Sequence, residues 1–333
     1  MDPEISGTLA EFNLIGRTPN FLDAMNRMRR LANCDAPVLI EGETGTGKEL
    51  VARAVHYLGA RAGGPFVPVN CGALPDHLVE NELFGHERGA YTDARSAAAG
   101  AIGEAARGTL FLDEVEALSP KAQVTLLRFL QHKEYRPLGG RRVVHADTRI
   151  VTASNADLRA MAARREFRAD LYFRLNILSL ALPPLRERVD DIDLLVHHFV
   201  DLYCRQYDLP LKMVDPRALR LLREYHWPGN VRELENLIHR EVLMATGGVL
   251  QLFPAAAASH GDDRHAPDEQ WSQGATFADA KCRAVEGFEK EYLFRLMFEA
   301  EGNVTRAARI AGKERRALGK LLKKHGINSG LSG

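Results

Sequence analysis

The chain has 333 residues, 45% hydrophobic and 26% charged, with 44 Lys and Arg against 44 Asp and Glu. That length holds two or three domains with a large buried core, and the zero net charge excludes a global field that steers the chain to nucleic acid or membrane. No apolar run reaches the ~18 residues of a membrane span and no leader pattern opens the chain. The four cysteines, Cys34, Cys71, Cys204 and Cys282, show no CxxC spacing, so neither a disulfide framework nor a zinc site is expected and the reading is a soluble protein of a reducing cytoplasm.

From residue 36 short apolar runs alternate with longer helical stretches. Candidate strands cover 37–41, 66–70, 109–113, 148–154 and 176–182. Each is continuous rather than alternating, as in strands of a sheet covered on both faces, and the helices between them argue for an α/β fold with a parallel sheet. After "LPPLRER" the strands stop. Helices are expected at 191–207, 215–225 and 228–245, the last opening on Pro228 with Val231, Leu234, Ile238 and Val242 along one stripe. Residues 254–275 are rich in Ala, Gly, Asp and Pro without a period, which reads as a linker. Beyond it Val285, Phe288, Tyr292 and Leu296 return to helical spacing.

"VLIEGETGTGKEL" sets Gly42, Glu43, Thr44, Gly45, Thr46, Gly47 and Lys48 between a strand and a helix. Glycine backbone N–H groups can wrap phosphate oxygens there, the helix N-terminus adds positive potential, and the lysine reaches the outer phosphates. The generic motif has Ser or Thr after the lysine; this chain has Glu49. "GTLFLDE" then ends a buried strand in Asp113 and Glu114, one carboxylate for a Mg²⁺ shell and one to polarise water. The expected activity is ATP hydrolysis.

"GETGTGKE", "FVPVNCGAL", "ELFGHERGAYTDA", "GTLFLDE", "FRADLYFRLN" and "WPGNVRELEN" together resemble the AAA+ domain of bacterial enhancer-binding proteins, the NtrC family that activates sigma-54 RNA polymerase. The resemblance covers 14 to 245, and Glu49 agrees with this family's phosphate loop. It implies an AAA+ P-loop ATPase core at 14–183 after a short segment 1–13, a helical lid at 184–253, the linker, and a Fis-type all-α helix-turn-helix domain at 276–333. It further implies that Lys48 binds the β/γ phosphates, Asp113 supports Mg²⁺ and Glu114 activates water. Asn70 restrains that glutamate, Asn155 senses the γ-phosphate, Arg232 reaches the nucleotide from the lid, and Ile15 lies on the adenine side. Arg168 and Arg174 match arginines that reach a neighbour's nucleotide, which requires a homo-oligomer, from dimer to hexameric ring.

In this family a loop carrying GAFTGA touches sigma-54. Gly89, Ala90, Tyr91, Thr92, Asp93 and Ala94 occupy that place, and a second insertion, 131–146, resembles its companion loop. Tyr91 keeps a large amphipathic surface, but Asp93 replaces a glycine that visits positive φ freely. Either the loop still engages sigma-54 or it has drifted, leaving a DNA-binding regulator that uses ATP for assembly. From Glu301 onward eight basic residues face only Glu301 and Glu314, so the rest of the chain is acidic on balance. "GNVTRAARIAGKERRALGKLLKKHGI" reads as helix–turn–helix with Asn303 as N-cap, Gly312 in the turn, and Leu318, Leu321 and Leu322 inward. Lys313, Arg315, Arg316, Lys320 and Lys323 are left for enhancer DNA. With about a dozen residues before the ATPase core, no receiver domain is expected, and control comes from a partner in trans or from a regulator this chain lacks.

Overall fold

The computed structural model describes residues 11–73, 76–90 (without the side chains of 76 and 77), 96–250 and 252, and in the C-terminal region 289, 292–293, 296–297, 300 and 303–325. These fall into two compact units that divide between Leu252 and Phe253. Tyr91, Thr92, Asp93 and Ala94, the segment 254–275, Val285 and Phe288 lie outside the described residues.

The first unit is built on a five-stranded parallel sheet ordered β2-β3-β6-β1-β7, with β1 Val38–Glu41, β2 Phe66–Asn70, β3 Thr109–Asp113, β6 Arg149–Ser154 and β7 Leu178–Ala181. Helices α1 (Pro19–Ala32), α2 (Lys48–Tyr57), α3 (Asp76–Phe84), α4 (Gly100–Glu104), α5 (Pro120–His132), α6 (Leu158–Ala163) and α7 (Ala169–Leu175) accompany it, and a short antiparallel pair, β4 Glu134–Tyr135 with β5 Val144–His145, projects from the second insertion. The strands are continuous apolar runs because successive side chains enter opposite cores. Leu39, Leu110, Leu112 and Ile150 pack on one face, and Val38, Ile40, Phe111 and Val151 on the other.

Register decides where the chemistry falls. Asn70 pairs with Asp113, Leu112 with Thr152, and Glu41 with Ser154. The residues at or just past the carboxyl ends of β1, β2, β3 and β6, namely Gly42, Asn70, Asp113 and Asn155, therefore share one edge, where open α/β sheets bind ligands. The opposite edge is clamped by Arg149, wholly buried. Its guanidinium donates to the carbonyls of Leu31 at 2.8 Å, Ala32 at 3.1 Å and Val55 at 3.4 Å, capping the C-terminal ends of α1 and α2 together.

The mainly helical part of this unit comprises α8 (Ile192–Gln206), α9 (Pro216–Glu224) and α10 (Asn230–Met244), but strands do not stop after "LPPLRER" as the sequence suggested, because β8 (Met213–Val214) and β9 (Val249–Leu250) form a small parallel pair. The core there includes Leu185, Ile192, Leu222, Leu234, Ile238 and Val242 around a fully buried Trp227, whose indole donates to Leu222 O at 2.8 Å. Helix α10 starts at Asn230 rather than Pro228. Trp227 and Asn230 both hold positive φ, 51°, and the Gly229 amide is capped by Glu233 Oε2 at 2.8 Å, so the turn is spent on joining the lid to the core before the helix begins.

Two loops are bound to each other beside α3 and α4. His86 bridges to both Ala98 and Leu138, and the Glu87 amide donates to Leu138 O at 3.0 Å. Gly85 and Gly100 hold φ of 68° and 69° back to back, and a Cβ on either would collide with the other's backbone. These positions require glycine.

In the second unit α11 (Val304–Ile310) and α12 (Arg315–Lys324) flank a turn at Gly312, whose φ is 61°. Asn303 caps α11 by accepting from the amides of Thr305 and Arg306 at 3.0 and 3.1 Å. Leu318 and Leu322 are buried with Ala307 and Ala308, and Leu321 is partly covered. The upstream stripe is offset from the spacing read in the sequence. Leu293, Leu296, Met297 and Ala300 pack inward while Tyr292 is exposed, the i, i+3, i+4, i+7 set of one helical face. Lys313, Arg315, Arg316, Lys320 and Lys323 are exposed. A Cβ on Gly319 would meet nothing within 4 Å.

Candidate functional site

The loop after β1 turns on Gly45 and Gly47, with φ of 79° and 97°, and delivers Lys48 as the first residue of α2. Lys48 is buried, and its ammonium donates to the carbonyls of Gly42 at 2.6 Å and Glu43 at 3.1 Å, curling the loop around a cationic centre. Thr46 Oγ1 closes the same turn on Glu43 O at 2.8 Å. A side chain at Gly45 would strike the Gly229 carbonyl, so the loop passes directly beneath the lid.

Asp113 ends β3 and accepts from the Glu114 amide at 3.0 Å. Glu114 follows in the left-handed region at φ 54°, an uncommon conformation for a non-glycine residue. Burial raises the Asp113 carboxyl above its ordinary range and lowers the Lys48 ammonium, while the attraction between the two charges opposes both shifts. Lys48, Glu49, Asp113, Glu114 and Arg232 line one cleft of about 380 Å³ with Thr44–Gly47, Asn13, Leu14 and Ile15. Away from the phosphate loop its lining includes the apolar Phe21, Leu195, Phe199 and Leu202 together with Arg188, His198 and Glu235. One end is thus polar and cationic and the other suits a flat aromatic group.

Several expected residues stand elsewhere. Asn155 is exposed at the end of β6, its amide nitrogen 3.4 Å from Thr44 Oγ1 and its backbone N–H donating to Glu116 Oε1 at 3.2 Å. Asn70 forms no hydrogen bond with Glu114. Its Oδ1 accepts from the amides of Gly72 and Ala73 at 2.8 and 3.0 Å, holding the turn in which Gly72 packs against the Glu114 carboxylate. Glu49 lines the cleft but is paired with Arg53 at 2.7 Å. Arg168 and Arg174 are exposed and do not line the cleft, and Arg168 pairs with Asp170 at 2.7 Å. Of the loop residues, Gly89 is exposed at φ 83°, where a Cβ would meet none of the described residues within 4 Å, and Ala90 packs against Gly139 of the second insertion.

Sequence reasoning missed four residues here. Glu43, although placed in the phosphate loop, was given no partner, and Arg186 and Asn230 supply two. Arg186 donates to both Glu43 oxygens at 2.6 and 2.7 Å. Asn230, fully buried, donates to Glu43 Oε2 at 3.1 Å and Thr44 O at 3.0 Å while its Oδ1 accepts from the Leu185 amide at 2.8 Å. Glu116 pins Asn155, and Arg188 stands in the cleft lining. "LRER" and "GNVRE" carry these charged and amide groups, but Arg186 and Asn230 stand 143 and 187 positions from Glu43, and no local spacing pairs them with it.

A parallel sheet carrying a lysine-bearing phosphate loop at the end of one strand and Asp-Glu at the end of another, beneath a helical lid, defines a P-loop ATPase of the AAA+ type. Residues 14–181 match the Sigma-54 interaction domain and residues 186–270 the AAA+ ATPase lid domain. The chain belongs to the sigma-54 interaction family of AAA+ ATPases. It is 40% identical over 322 residues to the regulatory protein AtoC of Escherichia coli K12, covering 95% of this chain and 68% of AtoC. It is 50% identical over 238 residues to the DNA-binding transcriptional regulator NtrC of Bradyrhizobium sp. RP501 Parasponia, covering 72% of this chain and 49% of that protein. The chain therefore spans about two thirds of the first relative's length and about half of the second's. The crystal structure of NtrX from Brucella abortus in complex with ATP superimposes with a TM-score of 0.69 at 31% identity, over 97% of this chain and 73% of that one. Among the described residues no helix is long and apolar enough to cross a membrane.

The Glu43 carboxyl is drawn down to about 2, first by the Arg186 guanidinium and then by Asn230. A folded-state value below that of the unfolded chain stabilises the fold above about pH 4.5, and the contribution is lost as pH falls toward 2. In thermal melts, wild type is expected to lose more stability between pH 5 and pH 2 than Glu43→Gln does. Both partners are 42% exposed, which limits the difference to about 3 °C or less. Parallel pH curves would show that the pair contributes nothing.

Proposed function

We propose that this ATPase couples ATP hydrolysis to transcription activation, as a ring-forming activator that binds enhancer DNA and remodels the sigma-54 RNA polymerase closed complex in the cytoplasm. The observation that carries the reading is the convergence of Lys48, Asp113, Glu114 and Arg232 on one cleft between core and lid. ATP enters with its phosphates in the loop from Gly42 to Lys48 and its base toward Ile15. Lys48 meets the outer phosphates, Glu114 orients the attacking water and takes its proton, and Arg232 reaches the nucleotide from the lid. Asp113, a carboxylate that ends β3 and lines the cleft with Lys48, would hold a Mg²⁺ ion that accompanies the nucleotide. When bound it neutralises charge on the transferred phosphoryl group.

Asn155 reads the γ-phosphate, steadied by Glu116 and Thr44, and Asn70 shapes the turn that packs on Glu114. Domain roles follow the same plan: 14–183 as ATPase core, 184–253 as lid, 254–275 as linker and 276–333 as a helix-turn-helix DNA-binding domain. Supporting a shared site between copies, Arg168 stands at the N-cap of helix α7 and Arg174 in its last turn, next to Phe173, which is 72% exposed. The arginines face out from a surface that has apolar area to cover.

Arg168→Ala and Glu114→Gln are each expected to lower turnover by about a thousand-fold. Mixing the two proteins should restore part of it through hybrid interfaces that pair an intact Glu114 with an intact Arg168. Wild-type specific activity that is independent of concentration down to clear monomer would defeat the shared site.

Tyr91→Ala should leave ATP hydrolysis nearly intact and weaken sigma-54 binding in the presence of ADP–aluminium fluoride by about 30-fold, the loss of one interface anchor. Asp93→Gly should preserve or raise that binding. A complex formed by Asp93→Gly and not by wild type would show that this loop has been switched off and that ATP serves assembly.

Exposed basic residues on and before α12 should give duplex binding that falls steeply with salt. Lys320→Ala should weaken binding across sequences and reduce the salt slope by about 1. An unchanged affinity and slope in a gel-shift salt series would remove Lys320 from the DNA contact.

A further inference from the structure

Arg188 is a buried cation that the fold leaves without a hydrogen-bond acceptor. Its side chain is 4% exposed, and its guanidinium lies over Phe21 with Cζ 4.6 Å from the ring centroid. The nearest carboxylate oxygen, Asp191 Oδ2, is 4.0 Å away, too far for a hydrogen bond. Asp191 is in any case committed elsewhere. Its Oδ1 accepts from the amides of Arg17 and Thr18 at 2.6 and 3.0 Å, and its Oδ2 from the Thr18 hydroxyl at 2.7 Å. Arg188 Nε is buried with no partner, and the guanidinium donates to no described residue. Burial pulls the group down to about 10, so it stays protonated at neutral pH.

Buried donors with no acceptor are rare in native structures, and each calls for a partner the protein itself does not supply. A guanidinium has five N–H groups and no acceptor, so that partner must be a lone pair. Arg188 lines the same cleft as the phosphate loop, as Ile15 and Phe199 do. Its orientation is fixed from below. A Cβ on Gly16 would lie 2.7 Å from Phe21 Cε1 and 2.8 Å from Asp191 Oδ2, so the ring that carries the guanidinium is itself backed by the chain at Gly16.

We propose that Arg188 is a nucleoside-positioning residue, whose unmet N–H groups donate to an acceptor of the purine ring or the ribose when nucleotide fills the cleft. The inference deepens the ATP reading above and rests on it. Reach and planarity both matter, because the guanidinium sits over Phe21 in the lining of the cleft and a lysine there would offer a point charge in place of a fork of donors.

The test is equilibrium binding of the full chain to ADP, to its 1-, 3- and 7-deaza analogues, and to 2′- and 3′-deoxy-ADP. Wild type should bind one of these analogues about ten-fold more weakly than ADP, the loss of one charge-assisted hydrogen bond. Arg188→Met should bind ADP about ten-fold more weakly and no longer distinguish it from that analogue. A deaza analogue assigns the contact to the ring and a deoxy analogue to the ribose. In turnover, KM for ATP should rise more than kcat falls. Arg188→Lys keeps the charge but not the reach, and the same comparison decides should the Met protein fail to fold. The proposal is overturned if the variant keeps wild-type discrimination against every analogue, or if wild type binds ADP and discriminates against none. Absence of any ADP binding by wild type would defeat the ATP reading itself.

Discussion

The buried amide of Asn230 makes three hydrogen bonds that tie two distant parts of the chain to the start of α10. It donates to the Glu43 carboxylate and the Thr44 carbonyl of the phosphate loop and accepts from the Leu185 amide where the strands give way to the lid. The residue pays a left-handed backbone for this position, and Arg232 follows two residues later in the cleft. Phosphate loop, lid entry and lid arginine are therefore positioned by a single side chain. Any shift of the loop on nucleotide binding must move α10 with it, because the amides of Val231 and Arg232 also reach the Gly45 carbonyl at 3.0 and 3.4 Å. An aspartate here would lose the donor to Thr44 and set a second carboxylate against Glu43.

Beneath that joint the site works with charges that the fold has partly dehydrated. Burial pulls Lys48 and Asp113 toward their neutral forms; Asp113 is held charged first by the Glu114 amide and then by Lys48, and Lys48 by Asp113, with Glu116 and Glu114 adding to the field on the lysine. In such surroundings each interaction with an incoming polyphosphate is stronger than it would be in water. The backbone contributes as well, since Glu114 occupies a strained conformation at the point where water would be activated.

Much of this was legible in the sequence, for a physical reason. All five strands were read within two residues of their ends because strands covered on both faces are uninterrupted apolar runs. The phosphate loop and the Asp-Glu pair were read because their spacing is local. What escaped reading was tertiary. Arg186 and Glu43 are 143 positions apart, and Asn155 leans on a Glu116 whose meaning depends on strand register. Asn70 was expected to hold Glu114 and instead shapes the turn beside it. Pro228 suggested a helix start, but Asn230 diverts the preceding residues into the core–lid joint, and α10 opens only there. Tyr292 passed for a core position because aromatic and leucine spacing cannot say which of two adjacent faces packs.

Gly85 and Gly100 press backbone against backbone, each at a φ that other residues resist. The chain between them leaves and re-enters the body through one narrow neck, tied off by the His86–Ala98 bridge. Packing of α3 on α4 is settled at that neck, where the two glycine backbones meet. Such an arrangement frees the excursion to change its chemistry over evolutionary time without a tax on folding, while the neck itself can hardly change at all.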